Sequence, residues 1–218
     1  MLRLRMCYPK HSMIGILDYR CGNLRSVQKA LEFKGHRAVM VSRPEDMGAV
    51  THLLLPGVGA FADGMKHLRE QGLDTAVRGW IASGRPFLGI CLGMQLLFES
   101  SEEGAAGGKP VAGLGVLPGR VKAFPADAGL KVPHMGWNQL HGLRGPLFSG
   151  IADGAHVYFV HGYYCEPAED AIVAARCGYG RDFCASVFSG NILAAQFHPE
   201  KSQAVGLGIL DNFARLPA

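Results

Sequence analysis

Short apolar runs alternate with helix-like segments through the first half of the chain. Four of these runs have the length and composition of buried strands, at residues 13–17, 38–41, 52–55 and 86–90. After the first run, Leu24, Val27 and Leu31 share one face of a predicted helix, which Asn23 caps and Gly35 ends. Because parallel strands need such crossovers, the alternation predicts a doubly wound α/β sheet.

Two further helices are predicted in this half of the chain. One follows the turn at residues 56–59 and runs to about residue 83, where Gly84 closes it. The other covers residues 92–100 and directly follows the fourth strand. Both begin where a predicted parallel strand ends, so their first residues are expected at the same edge of the sheet.

The second half of the chain has a different texture. Residues 104–119 are rich in glycine and are predicted to form a long loop. Five strands are then expected, at residues 120–124, 155–165, 171–177, 183–189 and 192–197. A last helix is predicted from residue 203 to about 215. We therefore expect one domain over residues 13–218, with a mostly parallel central sheet flanked by helices and an added antiparallel layer.

The composition excludes several classes of protein. Of the 218 residues, 48% are hydrophobic and 18% are charged, which is typical of a folded domain and not of a disordered chain. The net charge of +4 is spread along the chain without a basic run, so neither nucleic acid nor a membrane is an expected partner. The most apolar window, residues 87–98, is interrupted by Gln95 and is far below the ~20 residues of a membrane span.

The N-terminus and the cysteines indicate a cytoplasmic protein. Residues 1–12 are basic, but the apolar stretch after them ends at Asp18 and is too short for a secretory signal. We expect residues 1–12 to be a disordered extension or to precede the true start. The six cysteines form no Cys-x-x-Cys pair, so free thiols in a reducing compartment are the default, and no metal or cofactor is predicted.

The candidate chemistry concentrates in the pentapeptide Gly-Ile-Cys-Leu-Gly at residues 89–93. Cys91 stands between a strand and a helix, and the small residues on both sides permit the sharp turn of a nucleophile elbow. A thiol at the start of a helix faces the positive end of the helix dipole, which favours the nucleophilic thiolate. The N–H of Leu92 is then free to hold an oxyanion. The alternative is a buried cysteine in a glycine-rich turn.

A base for this thiol is predicted in Gln-Phe-His-Pro-Glu at residues 196–200. His198 and Glu200 are two residues apart at the end of an apolar strand, so their side chains face the same way. Glu200 can accept from one ring nitrogen of His198 and hold the other toward the sulfur, as in a catalytic triad. The alternative is a His-Pro turn beside a solvated carboxylate, but the pairing with Cys91 favours the triad.

The turn Pro-Gly-Val-Gly at residues 56–59 is expected at the same sheet edge as Cys91. Val58 or Gly59 could supply a second backbone N–H to the oxyanion, with Gly57 beside the substrate. The alternative is an ordinary strand–helix turn. Four further side chains lie in predicted β segments and could simply be packed: His134, Trp137, Tyr158 and His161.

Together, residues 88–95 and 196–200 resemble the class-I, or triad, glutamine amidotransferases. Further segments narrow the resemblance to the glutaminase subunits of imidazole glycerol phosphate synthase, the HisH family. These segments are residues 18–19, 22–27, 55–61, 131–138, 158–161 and 198–203. The resemblance runs from Met13 to Phe213, which is nearly the whole chain.

The resemblance implies the class-I amidotransferase fold and a glutaminase that hydrolyses L-glutamine to glutamate and ammonia. It also implies a heterodimer with the cyclase subunit HisF, a (β/α)8 barrel that combines the ammonia with the nucleotide PRFAR. The products are imidazole glycerol phosphate, for histidine biosynthesis, and AICAR. By the same resemblance, Gln95 and Glu103 contact the bound glutamine. Four residues would face the cyclase: Trp137, Asn138, Tyr158 and Lys201.

The chain departs from the family pattern at two positions. Arg20 stands where members commonly have glycine, which puts the local backbone in doubt. Gly162 stands where most have serine or threonine, which removes a hydroxyl near the glutamine site.

Other functions stay open. Residues 18–27 and 133–138 favour the histidine enzyme over the glutaminase of pyridoxal phosphate synthase. They discriminate poorly against a HisH-like glutaminase that serves another amidation pathway, such as the amidation of surface sugars. A non-catalytic interaction protein on the same fold is the remaining alternative, against which a complete triad argues.

Overall fold

The central sheet is built around parallel strands that are buried on both faces. The computed structural model describes residues 12–125 and 129–218, so the extension expected over residues 1–12 lies outside the described residues except for Ser12. The first strands are β1 (Met13–Leu17), β2 (Arg37–Val41), β3 (His52–Gly57) and β4 (Phe87–Cys91). They are parallel and lie in the spatial order β2-β1-β3-β4. Every residue of β3 and β4 is buried, as expected for parallel strands covered by helices.

Helices cover both faces of this sheet and confirm the predicted doubly wound arrangement. The long ones are α1 (Leu24–Phe33), α2 (Phe61–Glu70), α3 (Leu73–Ala82) and α5 (Gln203–Ala214). On one face, Val27 of α1 and Phe213 of α5 pack in the same cluster as Leu54 of β3. On the other face, Trp80 of α3 packs with Leu55. No helix in the described part of the chain is long and apolar enough to cross a membrane.

Two details of the predicted helices differ in the structure. The helix expected to run to about residue 83 is two helices, because Gly72 between α2 and α3 takes a positive φ of 67°. Asn23 precedes α1 as predicted, but its side chain makes no capping hydrogen bond.

The segment between residues 92 and 119 was predicted wrongly. The helix expected over residues 92–100 is a single turn, α4 (Leu92–Gln95), and the expected loop at 104–119 is largely strand. This segment contains β5 (Phe98–Ala106), β6 (Lys109–Ala112) and the start of β7 (Leu117–Ala123). The apolar run after Gln95 looks helical in sequence, but Phe98 pairs with Leu117 in a parallel ladder. Gly107 and Gly108, both with positive φ, make the tight turn between β5 and β6.

The second half extends the sheet with antiparallel strands. These are β10 (Tyr163–Pro167), β11 (Val173–Gly178), β12 (Asp182–Ser189) and β13 (Ile192–Ala195). β13 lies parallel to β4 and antiparallel to β12, so it joins the two halves of the main sheet, which has 11 strands in the described part of the chain. The added antiparallel layer is therefore confirmed, although several strand bounds shift. The strand predicted over 120–124 is Leu117–Ala123, which begins three residues earlier. The strand predicted over 171–177 begins at Val173, and the one predicted over 192–197 ends at Ala195.

A separate two-stranded sheet stands beside the main one. It pairs β8 (His134–Gln139) with β9 (His156–His161) in antiparallel register. The single strand predicted over residues 155–165 is thus wrong, because the chain changes sheets at Gly162: β9 pairs with β8, whereas β10 joins the main sheet. This change of sheet brings β9 alongside the segment that carries His198, whose backbone N–H donates to the Tyr158 carbonyl over 2.9 Å.

Candidate active site

Cys91 is the last residue of β4 and stands at the carboxyl edge of the parallel strands. Its backbone angles, φ 54° and ψ −110°, lie in a region that residues with a side chain rarely adopt. In the neighbouring strand, Gly57 is its register partner. The chain therefore makes the sharp strand-to-helix turn that the pentapeptide predicts, and it does so next to the predicted oxyanion turn.

Two glycines make this elbow sterically possible. A Cβ atom added to Gly93 would lie 1.8 Å from the carbonyl oxygen of Leu55, and one added to Gly89 would lie 2.7 Å from the carbonyl oxygen of Gly93. Both obstacles are backbone atoms, which cannot swing aside as a side chain can. The close approach of α4 to β3 and β4 therefore requires glycine at both positions.

The one-turn length of α4 changes the expected electrostatics at Cys91. The predicted dipole of a helix over residues 92–100 is replaced by that of one turn. Leu92 and Gly93, as the first two residues of this turn, still have N–H groups without an intrahelical acceptor. The electrostatic environment of the thiol therefore depends on local N–H groups and on the residues that face the sulfur. A long helix does not contribute to it.

His198 and Glu200 form a buried pair next to this elbow. His198 follows the end of β13, and Pro199 opens a short 3-10 turn, Pro199–Lys201. The Nδ1 atom of His198 lies 2.8 Å from Oε1 of Glu200, and the two side chains are only 3% and 2% exposed. Because a carboxylate only accepts, Nδ1 is the donor, and Nε2 remains for another partner.

The charge state of His198 depends on its neighbours. Burial lowers the pKa of His198, but the neighbouring sulfur of Cys91 and the Glu200 carboxylate outweigh burial and raise it from 6.5 to about 10. Nε2 is buried and has no hydrogen-bond partner among the described residues. The geometry thus leaves one ring nitrogen available on the Cys91 side.

Ser202, which no sequence pattern had indicated as a site residue, holds the backbone of His198 in place. Its hydroxyl donates to the His198 carbonyl over 2.7 Å and accepts from the backbone N–H of Tyr158 over 3.0 Å. Ser202 is fully buried, and its spacing from His198 is four residues. A serine directly after a His-Pro-Glu-Lys turn was a usable signal, because a buried hydroxyl there has backbone groups within reach.

The predicted oxyanion residues lie at the same edge. Val58 is 42% exposed, and Gly59 has a positive φ of 102° that suits glycine. Gly57 is closely packed, since a Cβ there would lie 2.2 Å from the hydroxyl oxygen of Tyr19. The Tyr19 hydroxyl is buried without a hydrogen-bond partner among the described residues.

Gln95 and Glu103, which the resemblance places at the substrate, lie on different elements. Gln95, at the end of α4, donates through Nε2 to the Tyr163 carbonyl over 3.1 Å and to Oε1 of Gln196 over 3.0 Å. Glu103, on β5, accepts from the backbone N–H of Phe61, the first residue of α2. Burial raises the pKa of the Glu103 carboxyl, against a lowering by that N–H and with a further rise from Asp63.

Comparison with known proteins assigns the family. A model of the family "Glutamine amidotransferase class-I" matches residues 20–215. The chain is 53% identical over 207 residues to "Imidazole glycerol phosphate synthase subunit HisH" of Geobacter metallireducens, covering 92% of this chain and 97% of the relative. It is 50% identical to the HisH subunit of Rhodopirellula baltica, covering 94% and 98%. The chain belongs to the HisH family of class-I glutamine amidotransferases.

Solved structures agree with the amidotransferase fold. A structure of PurLQS from Thermotoga maritima superposes with a TM-score of 0.73 at 18% identity, covering 93% of this chain and 97% of that one. A glutamine amidotransferase crystal structure gives a TM-score of 0.70 at 24% identity, covering 89% and 94%. At these identities the likeness concerns the fold alone.

The two departures from the HisH pattern have different structural settings. Arg20 takes a positive φ of 67°, the left-handed conformation that glycine adopts most easily. The chain therefore keeps the backbone shape that glycine allows and accepts the strain of a side chain there. Gly162 lies between β9 and β10. The carbonyl of the next residue, Tyr163, accepts a hydrogen bond from Gln95.

The four residues that the HisH resemblance places toward a partner lie on and beside β8 and β9. Trp137 is 47% exposed and packs edge-on against Tyr158, with ring centroids 6.1 Å apart. The ammonium group of Lys201 lies 5.7 Å from the centre of the Tyr158 ring. Asn138, in contrast, turns inward and donates to His134 and to the carbonyl of Gly178.

Proposed function

We propose that this chain is the glutaminase subunit of imidazole glycerol phosphate synthase, which hydrolyses L-glutamine and delivers the ammonia to the cyclase subunit. The observation that carries the proposal is the buried His198–Glu200 pair beside Cys91 at the elbow after β4. A thiol, a base and an orienting carboxylate are the parts of a nucleophilic triad. Relatives that share half of the sequence are named as this subunit.

The first half of the reaction forms a thioester. The Cys91 thiolate attacks the carboxamide carbon of glutamine, and the negative charge moves to the carbonyl oxygen. The N–H of Leu92 and an N–H of Val58 or Gly59 hold this oxyanion. The C–N bond then breaks, and the departing nitrogen takes the proton of the His198 imidazolium and leaves as ammonia.

The raised pKa of His198 suits this proton transfer. The negative sulfur is one of the causes that raise the pKa of His198. Bonding of the sulfur to the substrate removes that negative charge, so His198 becomes a stronger acid at the step where the leaving group needs a proton. The neutral ring that results can take a proton from water, which attacks the γ-glutamyl thioester and releases glutamate and the Cys91 thiol.

The substrate residues complete the site. Gln95, Glu103 and Gly57 are proposed to contact the bound glutamine, with Glu103 also holding the start of α2 behind the oxyanion turn. The mechanism uses no metal or cofactor, and we place the protein in the cytoplasm as one domain over residues 13–218.

The proposed partner is the cyclase HisF, bound as a heterodimer. Met135 and Trp137 on β8 are 61% and 47% exposed, and both are large apolar side chains. Exposed apolar residues with Tyr158 and a lysine beside them are typical of a protein interface. Since Ser202 ties Tyr158 to His198, a partner on this face would contact a residue that holds the catalytic base.

Reconstitution with the cognate HisF tests the proposal. We expect glutamine to support AICAR release from PRFAR only when both proteins are present, and HisF with PRFAR to raise glutaminase kcat at least about tenfold. A HisH-like glutaminase of another pathway would hydrolyse glutamine but would not respond to HisF. A non-catalytic protein would release no glutamate under either condition.

A further inference from the structure

Gln196 is a buried polar residue that the mechanism above does not use. It follows β13 directly, has no exposed surface, and its backbone N–H donates to the Ala185 carbonyl. Its side-chain nitrogen Nε2 lies 3.7 Å from the sulfur of Cys91. An amide at this depth needs defined hydrogen-bond partners, and one of those partners is the reacting atom.

The orientation of the Gln196 amide follows from its neighbours. The carbonyl oxygen of Tyr163 can only accept, so the Gln95 atom facing it must be the NH₂ group. The same NH₂ group lies 3.0 Å from Gln196, whose facing atom must therefore be the oxygen Oε1. The NH₂ group of Gln196 consequently faces the Cys91 sulfur.

The Tyr163 carbonyl is in turn held by a pair of buried histidines. Nδ1 of His161 lies 2.8 Å from this carbonyl and must be a donor, so Nε2 of the neutral ring is an acceptor. Nδ1 of His134 lies 3.0 Å from that acceptor and donates to it. Nε2 of His134 then accepts from the side-chain NH₂ of Asn138, 3.2 Å away. In this series of hydrogen bonds, the donor and the acceptor of each bond are therefore uniquely defined.

Both rings are held neutral and fixed in plane. Burial lowers the pKa of His134 to about 4 and that of His161 to about 3. A second proton on either ring would also place an N–H donor opposite another N–H donor. His134 is stacked between Tyr179 and Phe159, with ring centroids 4.0 Å and 4.8 Å away. The two histidines thus act as rigid, directional connectors.

We propose that Gln196 is a catalytic residue that donates a hydrogen bond to the Cys91 thiolate, and that the chain Asn138–His134–His161–Tyr163 carbonyl–Gln95 sets its orientation. A donor directed at the sulfur stabilises the anion over the neutral thiol. The histidines are positioning residues. The link to catalysis rests on the proposed function. The hydrogen bonds connect Asn138, which is next to the exposed Trp137, with the Cys91 thiol.

The test measures alkylation of Cys91 by iodoacetamide in the isolated full chain, with peptide mapping to confirm the site. Gln196→Met removes the NH₂ donor at the sulfur and adds neither a charge nor a new hydrogen-bond donor. We expect its rate at pH 7 to fall about tenfold or more, as for a lost hydrogen bond to a charged group. The rate at the high-pH plateau should stay within about twofold, because every chain then carries the thiolate.

A matched pair at His161 tests the orienting chain. His161→Asn keeps an NH₂ group where Nδ1 donates to the Tyr163 carbonyl, whereas His161→Leu removes the donor. We expect the rate at pH 7 to stay within about twofold of wild type in the asparagine variant and to fall at least about threefold in the leucine variant.

Wild-type alkylation at pH 7 in a folded Gln196→Met variant would overturn the proposal, and equal rates in the two His161 variants would overturn the orienting chain. If Gln196→Met does not fold, Gln196→Leu also removes the donor without adding charge and carries the same expectation. Because this assay uses neither glutamine nor HisF, its failure leaves the glutaminase proposal standing, and failure of the HisF reconstitution leaves the alkylation result interpretable.

Discussion

The carboxylate oxygen Oε2 of Glu103 lies 2.8 Å from the backbone nitrogen of Phe61. This contact connects β5 to the first residue of α2, immediately after the turn that carries Val58 and Gly59. An acceptor at a helix N-terminus satisfies a backbone donor that otherwise has no partner. The end of the proposed oxyanion turn is therefore held by β5, whose residues were predicted as the end of a helix and the start of a loop.

Substitution of Glu103 should separate this structural contact from substrate binding. Glu103→Ala removes the acceptor for Phe61, so we expect about 1 kcal/mol lower stability and a higher KM for glutamine. Glu103→Gln keeps an oxygen that can accept from the N–H, so its stability should match the wild type while KM still rises. Urea unfolding and steady-state glutaminase assays with HisF measure the two effects. Equal KM values in wild type and Glu103→Gln would show that the Glu103 carboxylate does not contribute to substrate binding.

The pKa of His198 should respond to both of its neighbours. NMR titration of the imidazole should show a pKa well above 6.5 in the wild type, and a lower one in both Cys91→Ser and Glu200→Gln, because each substitution removes a cause of the rise.

The raised pKa of His198 also makes stability depend on pH. Its stabilising contribution is fully present below pH 6.5 and is lost as the pH rises toward about 10. The difference in unfolding free energy between wild type and His198→Asn should therefore shrink across that window, by at most about 1.4 kcal/mol per pH unit. A difference that is constant with pH would contradict the raised pKa.

A pair of glycine substitutions tests the elbow. Gly93→Ala would place a Cβ 1.8 Å from the Leu55 carbonyl oxygen, so we expect a loss of about 3 kcal/mol or more in the free energy of unfolding. The control is Gly79→Ala in α3, where an added Cβ meets nothing within 4 Å and alanine should stabilise the helix by about 0.5–1 kcal/mol. Chemical denaturation compares the two, and a Gly93→Ala variant as stable as the wild type would refute the close approach of α4 to β3.

Substitution of Lys201 should weaken the response to the partner while leaving the thiol intact. Lys201 adjoins Glu200 in sequence and lies over the Tyr158 ring, so we expect Lys201→Ala to reduce the stimulation of glutaminase by HisF and PRFAR at least about threefold. Its rate of Cys91 alkylation should be unchanged. Lys109→Ala, on β6 at the far edge of the main sheet, is the control and should respond to HisF like the wild type. Full stimulation in Lys201→Ala would exclude this lysine from the coupling.

Local patterns predicted the parallel half of the fold well. β1 to β4 and their helices have strong apolar periodicity, and the elbow and the His-Pro-Glu turn depend on residues adjacent in sequence. The segment after Gln95 was misread because its apolar run suits either a helix or a buried strand, and only the pairing of Phe98 with Leu117 decides between them.

Contacts between distant segments were the harder part of the site. Gln196 is the first residue of the Gln-Phe-His-Pro-Glu motif, yet its contact with Cys91 joins residues 105 positions apart. Ser202 acts on His198 through hydrogen bonds that also involve β9, and no periodic pattern shows that pairing. Two isolated histidines, His134 and His161, were reasonably read as packed, because their connection exists only once β8 and β9 are paired.

The ammonia source used by a Cys91→Ala variant tests directly whether Cys91 is the nucleophile of the glutaminase. Wild type or variant is combined with HisF and PRFAR, and AICAR release is followed with glutamine or with an ammonium salt. If Cys91 is the nucleophile, Cys91→Ala abolishes glutamine-dependent release and leaves ammonium-dependent release at the wild-type rate, because the second reaction belongs to the cyclase. Substantial glutamine-dependent release by Cys91→Ala would contradict the assignment of Cys91 as the nucleophile.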